Sequence, residues 1–313
     1  MGDGVSQNKT HGFTYIDLFS GIGGFHQAAD ALGGECLFAS EIDPEACRAY
    51  AANYGLAPHG DITKIRADEI PAHDALFAGF PCQPFSIIGS MKGFDDTRGT
   101  LFFEIARILE AKKPPFFVLE NVKQLSTNNQ GRTLNTILRT LEGLGYEAHW
   151  KVLNALDFGL PQKRERTIIA GFRGRPSGFR FPAPVGAGDL ADVLEPDDAV
   201  DQKHFASGYI VGRRLSMHTS KSSPAIWHEN KAGNISSYPF SCALRAGASH
   251  NYLLVDGRRR LTPREMLRLQ GFPDSFTIVC NDRQTRKQAG NAVPVNVVKS
   301  VLAEALAAWD GRS

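Results

Sequence analysis

The sequence predicts an α/β protein built on a mostly parallel sheet, together with a smaller unit that is rich in loops. In the first half of the chain, short apolar runs alternate with stretches whose apolar residues recur at helical spacing, which is typical of parallel strands joined by helices. From residue 174 to residue 255 that alternation stops, and Gly, Ser, Pro, Asn and His become frequent. We therefore expect two units of different character.

The strands and helices predicted for the first half of the chain follow one another in order. A strand over residues 14–19 runs into a glycine turn, and a helix follows over 24–32. A second strand over 36–40 precedes a helix over 44–54, which has proline in its first turn, where a missing N–H is tolerated. The same two patterns predict strands over 75–78, 116–119, 148–153 and 167–172, and helices over 101–111 and 133–144.

Regular structure returns near the end of the chain. Residues 261–269 are predicted to be a helix, with Thr262 as the N-cap, Pro263 in the first turn and Glu265 completing a capping box. Residues 295–309 are predicted to be an amphipathic helix, because one face carries Val297, Val298, Val301, Leu302, Ala305 and Trp309.

The composition is that of an ordinary globular protein. Of the 313 residues, 42% are hydrophobic and 22% are charged, and no run approaches the roughly 18 apolar residues of a membrane span. Residues 1–10 lack the apolar core of a signal peptide. The five cysteines, at positions 36, 47, 82, 242 and 280, are odd in number, and no two are spaced as a metal-binding pair. These features favour a reduced, cytoplasmic protein with neither structural zinc nor a membrane partner.

The net charge of +2 hides an asymmetry. Residues 1–160 carry 13 Lys and Arg against 19 Asp and Glu, a net charge of −6, whereas residues 161–313 carry 22 against 14, a net charge of +8. A basic back half is suited to gripping a polyanion such as nucleic acid. Uneven surface charge without such a partner is the alternative, since the chain has no polybasic run.

A candidate nucleophile follows the third predicted strand. Residues 79–86 read Gly-Phe-Pro-Cys-Gln-Pro-Phe-Ser, which places Cys82 on a tight turn at the carboxyl end of a strand, where open α/β folds carry their chemistry. Pro81 and Pro84 stiffen the turn and so fix where the sulfur points. Cys82 is therefore either a nucleophile or a small buried packing residue, and its type alone does not decide between the two.

The first two strands end in residues suited to a nucleoside-like ligand. Glycines at positions 21, 23 and 24 do not fit the G-x-G-x-x-G pattern of dinucleotide-binding proteins, because His26 stands where the last glycine belongs. A ligand without pyrophosphate, such as S-adenosylmethionine, suits this looser turn, and a plain strand-to-helix turn is the alternative. Glu41 can accept hydrogen bonds from ribose hydroxyls, while Asp43 is expected to cap the next helix. Asp61 suits an adenine amino group, with Ile62 against the ring.

Charged residues also accompany two later strands. Glu120 ends an apolar strand, and a buried carboxylate is costly unless it is paired or functional, although a capping acid is the alternative. Residues 160–167 form a cluster that includes Arg164 and Arg166. Arginine in such a place suits a bidentate contact to phosphate or to a base oxygen, unless the cluster is simply a solvated turn.

From about residue 14 to residue 309, the chain resembles the bacterial DNA (cytosine-5) methyltransferases of restriction–modification systems. The motifs of that family occur in order: the glycine turn, Glu41, Asp61, the Pro81-Cys82 loop, Glu120-Asn-Val, Gln162-x-Arg-x-Arg, the helix followed by Gln270-Gly-Phe-Pro, and Gly290-Asn-x-x-Pro. Each motif is weak alone, but the ordered set is specific. The resemblance implies a Rossmann-like S-adenosylmethionine-dependent methyltransferase fold. Its catalytic domain would span 1–173, completed by 274–313, with a target-recognition domain and hinge over 174–273.

By this resemblance, Cys82 is the thiolate that attacks carbon 6 of a cytosine flipped out of DNA, which makes carbon 5 reactive. Glu120 would bond N3 and the exocyclic amine of the base, most effectively as an acid, and Arg166 would hold the base carbonyl oxygen. Arg164 would lie near a backbone phosphate or the loop of Cys82, and residues 91–98 would close over the base. The implied cofactor contacts are Phe19, Gly21, Gly23, Glu41, Ile42, Asp61, Ile62, Pro81, Leu101 and Asn291.

The resemblance also sets expectations about cofactor and partners. The methyl donor would be S-adenosyl-L-methionine, which leaves as S-adenosyl-L-homocysteine, and no metal ion would be needed. The substrate would be double-stranded DNA with a short specific site, read by polar residues within 228–237 and 245–251. A cognate restriction endonuclease would act separately, and the protein would be a monomer in the bacterial cytoplasm.

Three other hypotheses compete with this one. An RNA cytosine-5 methyltransferase would share the Pro-Cys loop and the Glu-Asn-Val motif, but the Cys-Phe-Thr signature of that branch is missing, since Cys242 is followed by Ala243. A non-catalytic DNA-binding protein on the same fold is disfavoured by the presence of Cys82, Glu120 and Arg166. A nicotinamide dehydrogenase is disfavoured by the glycine spacing.

Overall fold

The structure, a computed structural model, describes residues 12–81, 101–174, 178–230, 232–247 and 253–310. The predicted nucleophile Cys82 and the loop over 91–98 therefore lie outside the described residues, as do residues 248–251 of the second predicted base-reading stretch.

Six strands form the central sheet: β1 (Phe13–Leu18), β2 (Gly34–Ser40), β3 (Ala75–Gly79), β4 (Phe116–Val122), β5 (Tyr146–Asn154) and β7 (Glu165–Arg173), with the two-residue strand β6 (Gln162–Lys163) just before β7. Their order in the sheet is β2-β1-β3-β4-β7-β5. The first four are parallel to their neighbours, whereas β7 is antiparallel to both β4 and β5. The predicted parallel core is confirmed, and β7 is the strand that departs from it.

Helices cover both faces of this sheet: α1 (Gly24–Asp30), α2 (Pro44–Tyr54), α3 (Leu101–Lys112), α4 (Arg132–Gly143) and α8 (Val295–Asp310). Successive side chains of a strand point to opposite faces. Tyr15 of β1 accordingly packs in the same hydrophobic cluster as Val297 of α8, whereas Ile16 packs in a second cluster with residues of α3 and α4. The last helix thus returns to the first part of the chain, where it contacts α1 and β4.

The loop-rich unit is more regular than the sequence predicts. It contains one helix, α5 (Gly208–Met217), and four short strands, β8 (Ile226–Glu229), β9 (Ile235–Tyr238), β11 (Leu254–Val255) and β12 (Arg259–Arg260). The strands form an antiparallel sheet in the order β12-β11-β8-β9. One further strand, β10 (Ser241–Cys242), pairs in parallel with β6 and so ties this unit to the α/β unit.

Two helices lead from this unit towards α8, namely α6 (Pro263–Leu269) and α7 (Asp282–Asn291). The predicted capping box of α6 is confirmed, because the Glu265 N–H donates to Thr262 Oγ1 (3.1 Å) and the Thr262 N–H donates to Glu265 Oε2 (2.8 Å). Thr262 is therefore the cap, and the helix begins two residues later than predicted. The Glu265 carboxylate also pairs with the buried guanidinium of Arg259 at 2.8 Å, which joins α6 to β12.

The twelve predicted elements are all present, and their ends differ from the prediction by three residues or fewer. The helices α5 and α7 have no counterpart among the predicted elements. One stretch, Asp282–Trp309, reaches the length and mean hydropathy (1.3) of a membrane span, which the sequence analysis did not expect. It consists of α7 and α8 with a break at Ala292–Pro294, and 50% of its apolar window is buried inside the protein. Core helices meet the same criterion, so this stretch is weak support for a span.

Candidate active site

A cavity of about 360 Å³ opens where β1, β2, β3 and β4 end. The carboxyl edge of an open α/β sheet is the usual place for a ligand. Ten of the fourteen predicted site residues line the cavity: Phe19, Gly21, Glu41, Ile42, Pro81, Leu101, Glu120, Arg164, Arg166 and Asn291. Gly23, Asp61 and Ile62 are not part of its described wall, and Cys82 itself lies outside the described residues.

The glycine turn, residues 19–24, has a backbone that few side chains tolerate. The φ angle is 54° at Phe19, 56° at Gly21 and 84° at Gly23, all in the left-handed region. A Cβ on Gly23 would lie 2.3 Å from the Tyr54 ring, so this position requires glycine for space as well as for conformation. At Gly21 the Cβ position has no atom within 4 Å among the described residues. The turn therefore leaves its backbone at Gly21 open to a ligand in the cavity.

The Glu41 carboxylate holds the glycine turn from the side of β2. One oxygen accepts the N–H of Gly21 at 2.8 Å, and the other accepts the N–H groups of Ile42 and Asp43, also at 2.8 Å. An ionised carboxylate has about four lone-pair sites, so three of them serve the backbone here. The arrangement leaves capacity for one hydroxyl donor. Beside it, Ile42 is 72% exposed and offers an apolar surface to a flat ring.

Asp43 caps α2, as predicted, because its carboxylate accepts the N–H of Glu45 at 3.0 Å. Its other oxygen lies 2.7 Å from Lys287 Nζ. The hydrogen bond from this ammonium group, together with those from the backbone, holds the pKa of Asp43 below its usual value. Since Lys287 belongs to α7, the pair fastens that helix to the mouth of the cavity.

The structure does not bring Asp61 and Ile62 into the wall of the cavity. The Asp61 carboxylate accepts the N–H and the hydroxyl of Thr63 at 3.1 and 2.8 Å, so that it caps a short turn. Ile62 is buried, and its carbonyl accepts a bond from Arg107, which also reaches the Ile65 carbonyl at 2.9 Å. Contacts of Asp61 and Ile62 with a cofactor remain a prediction.

Glu120 and Arg166 form the charged centre of the cavity. Arg166 Nε lies 2.7 Å from Glu120 Oε1, and their side chains are only 13% and 10% exposed. Burial raises the pKa of Glu120, because a charge is poorly solvated there, while the neighbouring guanidinium groups of Arg166 and Arg164 oppose that rise. Glu120 is therefore a carboxyl group whose proton affinity is adjusted by its surroundings, as acid–base chemistry requires.

Arg164 is almost completely buried, at 1% exposure. Its guanidinium donates to the carbonyl of Leu244 in the loop-rich unit and to the carbonyls of Gly290 and Ala292 around the end of α7, each at 2.9 Å. The guanidinium is thus engaged with three backbone carbonyls, and its expected contact with a backbone phosphate stays a prediction. Arg164 joins three segments that are distant in sequence. Its relation to the loop of Cys82 stays a prediction.

Asn121 belongs to the Glu-Asn-Val motif but is not among the predicted site residues. Asn121 is buried, and its Nδ2 donates to the carbonyl of Phe80 at 2.8 Å. Its Oδ1 accepts the N–H of Val122 at 2.9 Å, which fixes the amide in that orientation. Asn121 thus holds the backbone two residues before Cys82. The signal available in the sequence was an asparagine that directly follows the catalytic candidate Glu120 at the end of an apolar run.

The glycine of the Gly290-Asn-x-x-Pro motif permits a close approach of two segments. A Cβ on Gly290 would lie 2.4 Å from the backbone nitrogen of Ala246, so α7 can pack on this backbone only because residue 290 has no side chain. The packing brings the next residue, Asn291, to the cavity wall.

Among the described residues, no group of three or more His, Cys, Asp or Glu side chains is placed to hold a metal ion.

Comparison with known proteins agrees with this geometry. The profile of the C-5 cytosine-specific DNA methylases matches residues 13–307. Two curated Type II methyltransferases are 53% identical to the chain: M.NgoBI of Neisseria gonorrhoeae over 287 residues and M.HaeII of Haemophilus aegyptius over 288 residues, each alignment covering 91% of this chain and 90% of the relative. Among solved structures, a mutant of Spodoptera frugiperda DNMT2 superposes with a TM-score of 0.71 at 20% identity, covering 94% of this chain and 99% of that chain. At that identity the likeness shows the fold alone, and it confirms the predicted methyltransferase fold.

Proposed function

The chain belongs to the family of C-5 cytosine-specific DNA methylases, as an enzyme of restriction–modification type, and we propose that it methylates carbon 5 of one cytosine in a short specific sequence of double-stranded DNA. The observation that carries this proposal is the shared cavity. The ion pair of Glu120 and Arg166 lines the same cavity as a glycine turn that is open at Gly21.

The methyl donor in this proposal is S-adenosyl-L-methionine, which the family uses and which supplies an electrophilic methyl group on its sulfonium centre. The residues present fit such a group, because Gly21 leaves its backbone open and Glu41 retains capacity for a ribose hydroxyl. Ile42 offers its exposed side chain to the adenine ring. No metal ion enters the mechanism.

Cytosine carbon 5 is a poor nucleophile, so the ring must first be activated. The Cys82 thiolate forms a bond to carbon 6, and the electron pair displaced from the ring is accepted at N3, where Glu120 delivers a proton. The resulting enamine makes carbon 5 nucleophilic, and carbon 5 takes the methyl group. Loss of the carbon 5 proton to a base then expels the Cys82 thiolate from carbon 6, and N3 returns its proton to Glu120, which restores the neutral aromatic ring. Arg166 holds the base carbonyl oxygen and keeps Glu120 in position.

The target atom is inaccessible inside a duplex, so the cytosine must be flipped into the cavity. Residues 1–173 with 274–313 would form the catalytic domain, and residues 174–273 would read the DNA sequence and carry the hinge. The loop over 91–98 would close over the flipped base. We further propose a cytoplasmic monomer whose cognate restriction endonuclease, if one is encoded, acts as a separate protein.

The proposal is tested with unmethylated plasmid DNA and S-adenosyl-L-methionine, read by bisulfite sequencing. Protected cytosines in one short shared context are expected. Cys82→Ser should bind DNA and cofactor but protect no cytosine, because a hydroxyl is a far weaker nucleophile than a thiolate. The matched control is Cys280→Ser, since a hydroxyl at residue 280 can keep the bond to Glu45 and activity should persist.

Two outcomes would overturn the proposal in different ways. Full activity of Cys82→Ser would remove the nucleophile assignment while leaving the methyl transfer intact. If the wild-type protein binds cofactor but protects no cytosine, the substrate assignment fails, and direct competition between DNA and RNA then distinguishes an RNA methyltransferase from a non-catalytic DNA-binding protein.

A further inference from the structure

Tyr54, the last residue of α2, contacts the glycine turn from beneath. Its hydroxyl lies 3.0 Å from the carbonyl oxygen of Gly23 and 3.3 Å from that of Ile22. A tyrosine hydroxyl has one proton to donate, so the two carbonyls share it. The ring lies against Gly23 so closely that a Cβ there would overlap it. Tyr54 therefore bonds the turn and also fills the space under it.

The Tyr54 ring is itself held in place by a buried polar network. It stacks on the imidazole of His26 with a centroid distance of 3.9 Å and an interplanar angle of 18°. The His26 ring is fixed at both nitrogens, since Nδ1 lies 2.6 Å from the Tyr50 hydroxyl and Nε2 lies 3.2 Å from Asp30. A neutral imidazole with its proton on Nε2 satisfies both contacts, because it donates to Asp30 and accepts from Tyr50.

The turn needs such support because its conformation is unfavourable by itself. Phe19 has a φ of 54°, a region that side chains other than glycine and asparagine rarely adopt. Glu41 accepts the N–H of Gly21, but a carboxylate has no proton to donate to the carbonyls of Ile22 and Gly23, which the Tyr54 hydroxyl bonds instead. The residues of this turn that line the cavity are Phe19, Gly21 and Ile22.

We propose that Tyr54 is a positioning residue for the cofactor: its hydroxyl, through its bonds to the carbonyls of Ile22 and Gly23, holds the glycine turn in the shape that receives S-adenosyl-L-methionine. This inference rests on the proposed function. Tyr54 does not line the cavity, so it would act on the ligand only indirectly, through the backbone of the turn. A preorganised turn spares the binding step the free energy of ordering it. Loss of the hydroxyl therefore weakens cofactor binding and leaves DNA binding and the chemical step unchanged.

The test compares Tyr54→Phe with Tyr50→Phe. The first variant keeps the stacked ring and loses only the bonds to the turn, whereas the second loses a hydroxyl from the same network without touching the turn. The measurements are the Kd of S-adenosyl-L-homocysteine by calorimetry, the KM for S-adenosyl-L-methionine, the KM for DNA and kcat. All are made at a temperature well below the midpoint of thermal unfolding of each variant. Tyr54→Phe is expected to raise the first two by about 3-fold to 10-fold, the loss of one neutral hydrogen bond, while Tyr50→Phe changes them less than twofold.

Each other outcome counts against the inference. If Tyr54→Phe binds cofactor as the wild type does, or if both variants lose the same affinity, the hydroxyl has no specific role at the turn. A fall in kcat at saturating cofactor would assign Tyr54 to the chemical step instead. A wild-type protein that does not bind S-adenosyl-L-homocysteine would overturn the proposed function, and the positioning role with it.

Discussion

Arg166 Nε lies 2.7 Å from Glu120 Oε1 because β7 runs antiparallel to β4. In the register of this pair, Glu120 is opposite Ile168, and Arg166 is the diagonal neighbour on the same face. An antiparallel strand begins at the edge where the parallel strands end. The first residues of β7 therefore bring a guanidinium to the carboxylate of Glu120 in the last part of β4, whereas a parallel β7 would have placed Arg166 at the far edge of the sheet.

Replacement of Glu120 by Gln should lower kcat by about 10²-fold to 10⁴-fold, the usual contribution of a positioned acid. The amide can still hydrogen-bond the base but cannot deliver a proton to N3. Single-turnover methylation checks this, with DNA and cofactor affinities expected to stay close to wild type. The control is Glu165→Gln, which removes a neighbouring carboxylate whose partner is the exposed Lys123. Unchanged kcat in Glu120→Gln would contradict the assignment of Glu120 as the acid.

Replacement of Arg166 by Gln should shift the pH profile as well as the rate. The guanidinium of Arg166 opposes the rise in the pKa of Glu120 that burial causes, so its removal raises that pKa further. If the protonated acid is the active form, activity falls as pH rises through this pKa. The alkaline limb of kcat/KM should therefore move to higher pH in Arg166→Gln and disappear in Glu120→Gln. A limb that keeps its position in both variants would assign it to another group.

Replacement of Asn121 by Ala should reduce turnover through the loop of Cys82. The amide holds the Phe80 carbonyl, and a nucleophile misplaced by about 1 Å can lose about 10²-fold in rate. A stability loss of about 1–3 kcal/mol is expected as well, because a buried carbonyl loses its donor. Asn53→Ala is the control, since Asn53 also bridges two segments but lies away from this loop. Equal kcat values for the two variants would show that Asn121 is only structural.

Much of the α/β unit could be predicted because its signals are local. Short apolar runs and helical spacing located every strand and helix of the sheet, and the Thr262–Glu265 capping box is legible in four consecutive residues. The residues at strand ends were expected to meet, since the carboxyl ends of parallel strands share one edge of a sheet. Glu41 and Glu120 do line one cavity.

The features that sequence analysis missed depend on partners distant along the chain. α7 has no apolar stripe, because the residues it buries are Thr285, Gln288, Ala289 and Gly290. Residues 163–166 predict either arginines that contact phosphate or a base oxygen or a solvated turn, yet Arg164 is buried because carbonyls from residues 244, 290 and 292 converge on it. The direction of β7 is likewise set by its pairing with two other strands, which no local pattern encodes.

Replacement of Arg164 by Met should therefore act on stability and not on phosphate contact. All three carbonyls that accept from Arg164 lose a charged donor, so urea unfolding should show a loss of about 3 kcal/mol or more. The adjacent and exposed Lys163→Met should change stability by less than about 0.5 kcal/mol. Each phosphate contact adds about 0.9 to the slope of log affinity for DNA against log salt. An unchanged slope is expected for Arg164→Met. A slope that is less steep by about 0.9 would show that Arg164 does contact a phosphate.

Asp17 should make the stability of the protein depend on pH with an unusual sign. It is the second-to-last residue of β1, is 1% exposed, and neither of its carboxylate oxygens has a side-chain hydrogen-bond partner among the described residues. Burial, and then the charge of Glu41, raise its pKa well above the usual value, although the backbone N–H of His26 partly opposes that rise. The unfolded chain loses this proton near pH 4, whereas the folded protein retains it, so folding takes up a proton at higher pH. The stability contributed by neutral Asp17 is therefore full below about pH 4 and declines as pH rises towards the folded pKa.

The variant Asp17→Asn removes this titration while keeping the side-chain shape. Its unfolding midpoint should exceed that of the wild type near neutral pH, and the difference should shrink as the pH is lowered towards about 4, where Asp17 is neutral in both states. Thermal unfolding across this pH range, without cofactor, gives the two curves. The exposed Asp192→Asn should instead give a curve parallel to the wild type. If the curves of Asp17→Asn and wild type are parallel too, Asp17 is ionised in the folded protein and must have a buried partner.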